Sequence, residues 1–143
     1  MPDMTLLAAY QAYVESLDAI DGEAERLDAI INLGRRHHAQ AFPDAWKTDA
    51  NQMHGCMSKV WIVHQRQDGR HTFHGHSDSL IVNGLVAVMT ESFSGLTRAE
   101  LAALTLDHVR RFRLGALTAQ RQVGMMAMLK HFQRLAKAPL SSA

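Results

Sequence analysis

Leu6, Tyr10, Tyr13, Val14 and Leu17 recur at helical spacing, so the pattern predicts an amphipathic helix over residues 5–19. Asp21-Gly22 interrupts it. Asp21 is the expected cap of a second helix, with Glu23 and Glu25 placed near its positive end. Leu27, Ile30, Ile31 and Leu33 form that helix's apolar stripe, and Gly34 with Arg35-Arg36 marks its expected end. Between positions 37 and 52 the periodicity dissolves. Pro43 and the polar run Lys47-Thr48-Asp49-Ala50-Asn51 read as loop. After Gly55 the texture turns to β. Val60-Trp61-Ile62-Val63 is strand-rich, Asp68-Gly69 marks a turn, and Thr72-Phe73-His74 begins the return. This predicts a hairpin, with residues 52–54 as a candidate third short strand.

Ser77 or Asp78 is the expected cap of a further helix carrying Leu80, Ile81, Leu85, Val88 and Met89, which Gly95 ends. Thr97-Arg98-Ala99-Glu100 has the form of a capping box, opening a short helix. Residues 106–115 read as a turn of helix and a loop. Thr118 opens the last helix, with Val123, Met126, Leu129, Phe132 and Leu135 as candidate core positions. Residues 137–143 are expected to form a frayed tail. Strands clustered centrally between helices favour an α+β class over a doubly wound one. The expectation is a single domain over residues 1–143, with its core in about 5–136. A small antiparallel sheet of about three strands would be packed by the N- and C-terminal helices. No repeat, linker, GxxxxGK[ST] or strand-linked GxGxxG appears.

Composition narrows the function classes. An apolar fraction of 47% and a charged fraction of 20% suit a soluble globular domain. The formal net charge is +1, with the two signs interspersed, so there is no basic field for nucleic acid or a membrane surface. No apolar run reaches the ~18 residues of a membrane span. The N-terminal residues lack the basic stretch and apolar core of a signal peptide, so the cytoplasm is the expected compartment. The sequence contains one cysteine, Cys56. It cannot form an internal disulfide, a Cys-rich zinc site or a four-cysteine cluster site.

Cys56 follows Gly55 and precedes the strand-rich run. A glycine there lets the backbone turn sharply, which can present a thiol at a loop tip. The thiolate is the nucleophile, and a free thiol with a pKa of ~8.5 is only slightly ionised at neutral pH. A cationic His54 facing the sulfur would help. On residues alone two readings stay open: a reactive thiol, or a small buried hydrophobe.

The run Met53-His54-Gly55-Cys56-Met57-Ser58-Lys59-Val60-Trp61 resembles the G-C-x-S-x-V-W signature of the SufE/CsdE family. Gly75-His76-Ser77-Asp78-Ser79-Leu80-Ile81-Val82-Asn83-Gly84-Leu85-Val86-Ala87-Val88 is similar to that family's G-D-S-D-A-x-I-V-x-G-L-x-A-V segment. Leu117-Thr118-Ala119-Gln120-Arg121-Gln122-Val123-Gly124-Met125-Met126-Ala127-Met128 is similar to its L-[ST]-x-S-R-x-x-G-x-x-A-M stretch, and Ile31-Asn32-Leu33-Gly34-Arg35 resembles its L-G-[KR] helix end. The segments occur in family order. Met57 stands where a Gln is common, His76 where an Asp is, Asn83 where a Lys is, and Val123 where a polar residue is.

The resemblance implies a sulfur relay. A pyridoxal-phosphate cysteine desulfurase, of the SufS/CsdA type, would form a persulfide on its own cysteine. Cys56 would take over the outer sulfur and pass it to an iron–sulfur scaffold. The acceptor itself would carry no cofactor and no metal. The resemblance also implies a fold like that of the IscU-type scaffolds. It adds Asp78 and Arg121 to His54 and Gly55 as candidate supporting or partner-binding residues. A persulfide is labile, so Cys56 is expected to be sheltered before docking, against Met57 or Trp61. Trp61 itself is expected in the core. Gly84 and Gly124 inside helices are expected to permit close packing.

Other functions remain to be weighed. His74 and His76, two apart on one strand, share a face and with Cys56, His54 or Asp78 would make up a zinc ligand set. A stand-alone thiol enzyme lacks a CxxC or resolving cysteine. A non-catalytic adaptor of a desulfurase would not need the thiol at all. Self-association, a weak homodimer included, is left open by the sequence.

Overall fold

The computed structural model of the protein describes residues 7–54, 58–114 and 119–137, the side chain of Gln120 excepted. Two helices come first, α1 (Ala8–Asp18) and α2 (Glu23–His38). A 3-10 turn at Asp44–Trp46 leads to β1 (Gln52–Met53), β2 (Val60–Gln67) and β3 (Arg70–Ser77). Then follow α3 (Leu80–Phe93), β4 (Leu96–Thr97), α4 (Arg98–Ala102), α5 (Leu106–Arg110) and α6 (Ala119–Lys137). The strands form one antiparallel meander in the order β1-β2-β3-β4. The architecture is α+β, as the element order implied.

The β2–β3 hairpin turns on Asp68-Gly69, both at positive φ (54° and 75°). Such a two-residue turn matches the twist of its strands, and Asp-Gly adopts it at low steric cost. Because strand side chains alternate, the register of Ile62 with Gly75 and His64 with Phe73 defines an inner face. Val60, Ile62, Phe73 and Gly75 on that face are buried. A Cβ at Gly75 would meet Val86, Thr90 and Ile62, so α3 lies directly on this face. Phe73 also stacks on Phe132 of α6, with ring centroids 4.2 Å apart. From Val82 to Thr90 every residue of α3 is buried, as expected of a helix covered on all sides.

Several expectations are corrected. Among the described residues the sheet has four strands, because Leu96-Thr97 pairs with His71 and Arg70. Two residues carry no readable alternation, which is why periodicity passed over β4. The hairpin strands each run to 8 residues. Gly34 does not end α2, which continues to His38. Its role is a helix crossing: a Cβ at Gly34 would run into the carbonyl oxygen of Leu80, and one at Gly84 into that of Ile30. Close packing at Gly84 was anticipated. Asp21 does not cap α2, whose N-cap position is Gly22, and Ser79, not Ser77 or Asp78, caps α3 by accepting from Val82 N–H.

The capping box at Thr97 and Glu100 is present with both bonds made. Residues 106–110 form α5. Thr118 lies outside the described residues. Along α6 the buried stripe is Met125, Met128, Leu129, Phe132 and Ala136, whereas Val123 is 58% exposed. Counting core positions in steps of three from Val123 lags a 3.6-residue turn by about 60° per step, so the early positions drift off the core face. Leu80, at 41% exposed, also lies outside the core.

Candidate functional site

β1 and β2 pair through Gln52 with Trp61 and Met53 with Val60, and the Ile62 N–H donates to the Asn51 carbonyl at 2.8 Å. Residues 54–59 therefore connect two antiparallel strands at one end of the sheet. Gly55, Cys56 and Met57 lie outside the described residues. What is described are the two stems of the connection.

On the downstream stem, the Lys59 carbonyl accepts from the Ser77 hydroxyl at 2.7 Å. Ser77 pairs with Val60 in the ladder and is fully buried. The bond thus continues the β2–β3 pairing one residue toward Cys56. Ser77 is held in turn by Asn83 of α3. Asn83 Oδ1 accepts from the Ser77 N–H at 2.8 Å, and Nδ2 donates to the Ser77 carbonyl at 2.7 Å. Nδ2 also donates to His38 Nδ1 at 3.3 Å. An amide carries an acceptor and two donors, so one side chain meets three partners with none mismatched. Asn83 is fully buried, where a polar group is stable only when bonded in this way. His37 Nε2 donates to the Gly75 carbonyl at 2.6 Å, so the last turn of α2 grips β3 and α3 together.

On the upstream stem, Met53 is buried and His54 is exposed. Burial first, then Arg134 and His54, hold the His131 pKa below the ordinary imidazole value.

The outer face of the sheet carries Trp61, His74 and His76. The 42–47 stretch folds over it: Phe42 stacks on His76 at 5.3 Å, Trp46 lies 5.9 Å from His74, and Lys47 stands over Trp61 at 5.9 Å. Trp61 is half-buried on this face and not in the core, because an odd β2 position opposes His76 and points away from α3. His76 is buried and resists protonation, through burial first and then the charges of Lys47, His38 and His37, while Asp78 opposes the shift.

Of the predicted site residues, Asp78 is exposed and directly follows Ser77, at the anchored end of the connection. Arg121 lies in the first turn of α6, half-buried. The expected shelter of Cys56 concerns residues outside the description. His74 and His76 do share a face. Among the described residues no three His, Asp or Glu side chains are grouped to hold a metal ion. Reasoning from sequence missed the Asn83–Ser77–Lys59 chain and His131. Asn83 carried one signal, a lone amide between Val82 and Leu85 in an apolar helix.

The fold and this setting define a small α+β protein whose one cysteine lies in the sequence between the first two strands of an antiparallel meander. The chain belongs to the SufE family, whose sequence profile, described as an Fe-S metabolism associated domain, matches residues 11–136. An uncharacterized SufE-like protein of Synechocystis is 30% identical over 134 residues, covering 93% of this chain and 83% of its own. A second, from Rhizobium meliloti, is 31% identical over 133 residues, covering 89% and 94%. The Escherichia coli sulfur acceptor protein CsdE is 37% identical over 75 residues, which is 52% of this chain and 50% of its own. The solution structure of a hypothetical protein from Thermus thermophilus superposes with a TM-score of 0.69 at 16% identity, covering 90% and 95%, and so shares the fold. No helix among the described residues is long and apolar enough to cross a membrane.

Proposed function

We propose that the protein is a sulfur acceptor and carrier for iron–sulfur cluster assembly, with Cys56 as the accepting residue. The observation that carries this reading is the family match over residues 11–136, which spans the chain's one cysteine. The name of the E. coli relative, a sulfur acceptor, supports it. In the step proposed, the Cys56 thiolate attacks the outer sulfur of a persulfide on a cysteine desulfurase. A new S–S bond forms at Cys56, the old one breaks, and the desulfurase thiolate leaves. This is thiol–disulfide exchange with one sulfur as cargo, and it needs no external oxidant or reductant. The pyridoxal phosphate belongs to the desulfurase, and the acceptor supplies only its thiol. The sulfur then moves by the same displacement to a cluster scaffold, and acceptance of the sulfur stimulates the desulfurase by clearing its persulfide.

His54, Gly55, Asp78 and Arg121 are the proposed supporting or partner-binding residues. His54 opens the connection, Asp78 directly follows Ser77, and both side chains are exposed. The reading places the protein in the cytoplasm, where thiols stay reduced.

The test is an intact mass after incubation with a cysteine desulfurase and L-cysteine. The expected result is a gain of roughly 32 Da, one sulfur, reversed by reductant as exchange chemistry requires. Cys56→Ser must not gain it. No adduct on the wild type, with the desulfurase of the same organism, would remove the acceptor reading and favour an adaptor that needs no thiol.

A further inference from the structure

Asn83 is one polar side chain in the stretch of α3 that lies against the sheet, and its three hydrogen bonds account for its burial. Two of them go to the backbone of Ser77, the last residue of β3. The N–H and C=O of that residue are both claimed by a single amide, in the manner of a neighbouring strand. The Ser77 hydroxyl is then left to donate to the Lys59 carbonyl and to accept from the Ser79 N–H at 3.2 Å. Lys59 is three residues from Cys56. On the other side of the connection β1 offers two residues of pairing. The firmer of the two stems is therefore the one tied through Ser77.

We infer that Asn83 and Ser77 are positioning residues for the sulfur-accepting thiol: Asn83 fixes the backbone of Ser77, Ser77 fixes Lys59, and Lys59 sets where the Cys56 connection leaves the sheet. The inference rests on the acceptor reading of Cys56 for its functional consequence, though not for its geometry. The bond pattern is particular to an amide. A lysine, usual at this position in the family, has donors only and cannot accept from the Ser77 N–H. His38 belongs to the same device, because its Nδ1 accepts the remaining Asn83 proton.

Ser77→Ala and Asn83→Ala test this in two assays, each far below the melting temperature and with a native circular-dichroism spectrum as the entry condition. The first is the second-order rate of Cys56 alkylation by iodoacetamide with no partner present. The second is sulfur loading from a cysteine desulfurase, resolved into kcat and KM for the acceptor. For Ser77→Ala, kcat is expected to fall about fivefold, the factor one net hydrogen bond is worth, with KM within twofold. The alkylation rate shifts by a similar factor, because reach to the thiol changes even without a partner. A purely structural role would lower the melting temperature and leave both rates alone. Loading and alkylation within twofold of wild type overturn the inference. Should Asn83→Ala not fold, Ser77→Ala decides alone, since it leaves both Asn83 bonds to the backbone in place. A wild type that never loads sulfur, with alkylation still shifted in Ser77→Ala, removes the acceptor reading and leaves the positioning role standing.

Discussion

Replacing Gly84 by Ala should destabilise the protein, against the sign that helix propensity alone gives. Glycine inside a helix costs about 1 kcal/mol relative to alanine, so an exposed Gly→Ala change stabilises by about that amount. Gly84 is different because α2 and α3 cross there backbone to backbone. A Cβ at Gly84 would collide with the Ile30 carbonyl oxygen and stand 2.7 Å from Ile30 Cγ2 and 2.9 Å from its carbonyl carbon. The reciprocal contact places a Cβ on Gly34 against the Leu80 carbonyl and 3.1 Å from the Gly84 nitrogen. Both obstacles are backbone, which cannot rotate aside.

The helices must then part by something on the order of 1 Å, since carbon atoms pack best at ~3.5–4.0 Å. Overpacking of this kind costs about 1–3 kcal/mol, and parting also thins contacts along the whole crossing. Because both obstacles are backbone the cost lies in the upper part of that range, so against the propensity gain of about 1 kcal/mol the net loss is about 1–2 kcal/mol, or a fall of roughly 3–7 °C in Tm for a chain of this size. Thermal melts of wild type, Gly84→Ala and Gly34→Ala measure it, and both variants should fall. An unchanged or raised Tm for Gly84→Ala would show that the crossing has room for a methyl group, and the account of Gly34 as a packing residue would go with it. The last turn of α2 carries His37 and His38, so the same variants should also loosen the grip on Gly75 and Asn83.

Stability should decline as pH falls from neutral through about 6.5. His64, His71, His76 and His131 all have pKa values lowered mainly by burial. A histidine whose folded pKa lies below its unfolded value binds more protons when unfolded, so stability rises with pH across the interval between the two and is lost as pH drops below the unfolded value. His64 and His71 share one hydrogen bond at 2.7 Å, which their neutral forms can make and two cations cannot. Urea midpoints from pH 7.5 to 5.0 test this, and a flat profile would contradict it. The phase of α6 is checked by a pair of variants: Val123→Glu on the exposed side should stay within about 0.5 kcal/mol of wild type. Leu129→Ala, on the buried side, should cost about 2–5 kcal/mol in the same denaturation assay.

The parts of the fold that periodicity could read were those in which one face differs from the other over enough residues. The Asp68-Gly69 turn and the Thr97–Glu100 box were legible because their residue types are tied to local backbone geometry. β4 was not, since two residues cannot show a period and their partners are 25 and 27 positions earlier in sequence. Gly34 was misread because a glycine followed by basic residues marks a helix end just as well as a crossing. Which of the two holds depends on Leu80 lying opposite, a fact of tertiary structure. The same holds for the site. Cys56 stood out by being alone, and Asp78 by its motif. Asn83 differs from an ordinary polar substitution only in what surrounds it.

That surrounding explains why a buried amide is retained where an apolar side chain would pack. β3 ends at Ser77, and beyond it the chain turns into α3, so no further strand continues the ladder there. The N–H and C=O of Ser77 would be buried without partners, each a cost of about 1–3 kcal/mol. Leucine at position 83 would fill the space and leave both groups unpaired, which is worse than the desolvation of the amide. Asn83 thus closes the end of the sheet from the helix side. Because it takes the backbone groups, it frees the Ser77 hydroxyl to reach Lys59. A carboxylate at 83 could accept from the N–H but would oppose the carbonyl, so Asn83→Asp should lose both Nδ2 bonds, to the Ser77 carbonyl and to His38, and turn the first into a repulsion in a fully buried site. The end of the sheet and the start of the Cys56 connection are in this way one structure, and the chemistry proposed for the thiol inherits its geometry from a hydrogen-bond requirement of the fold.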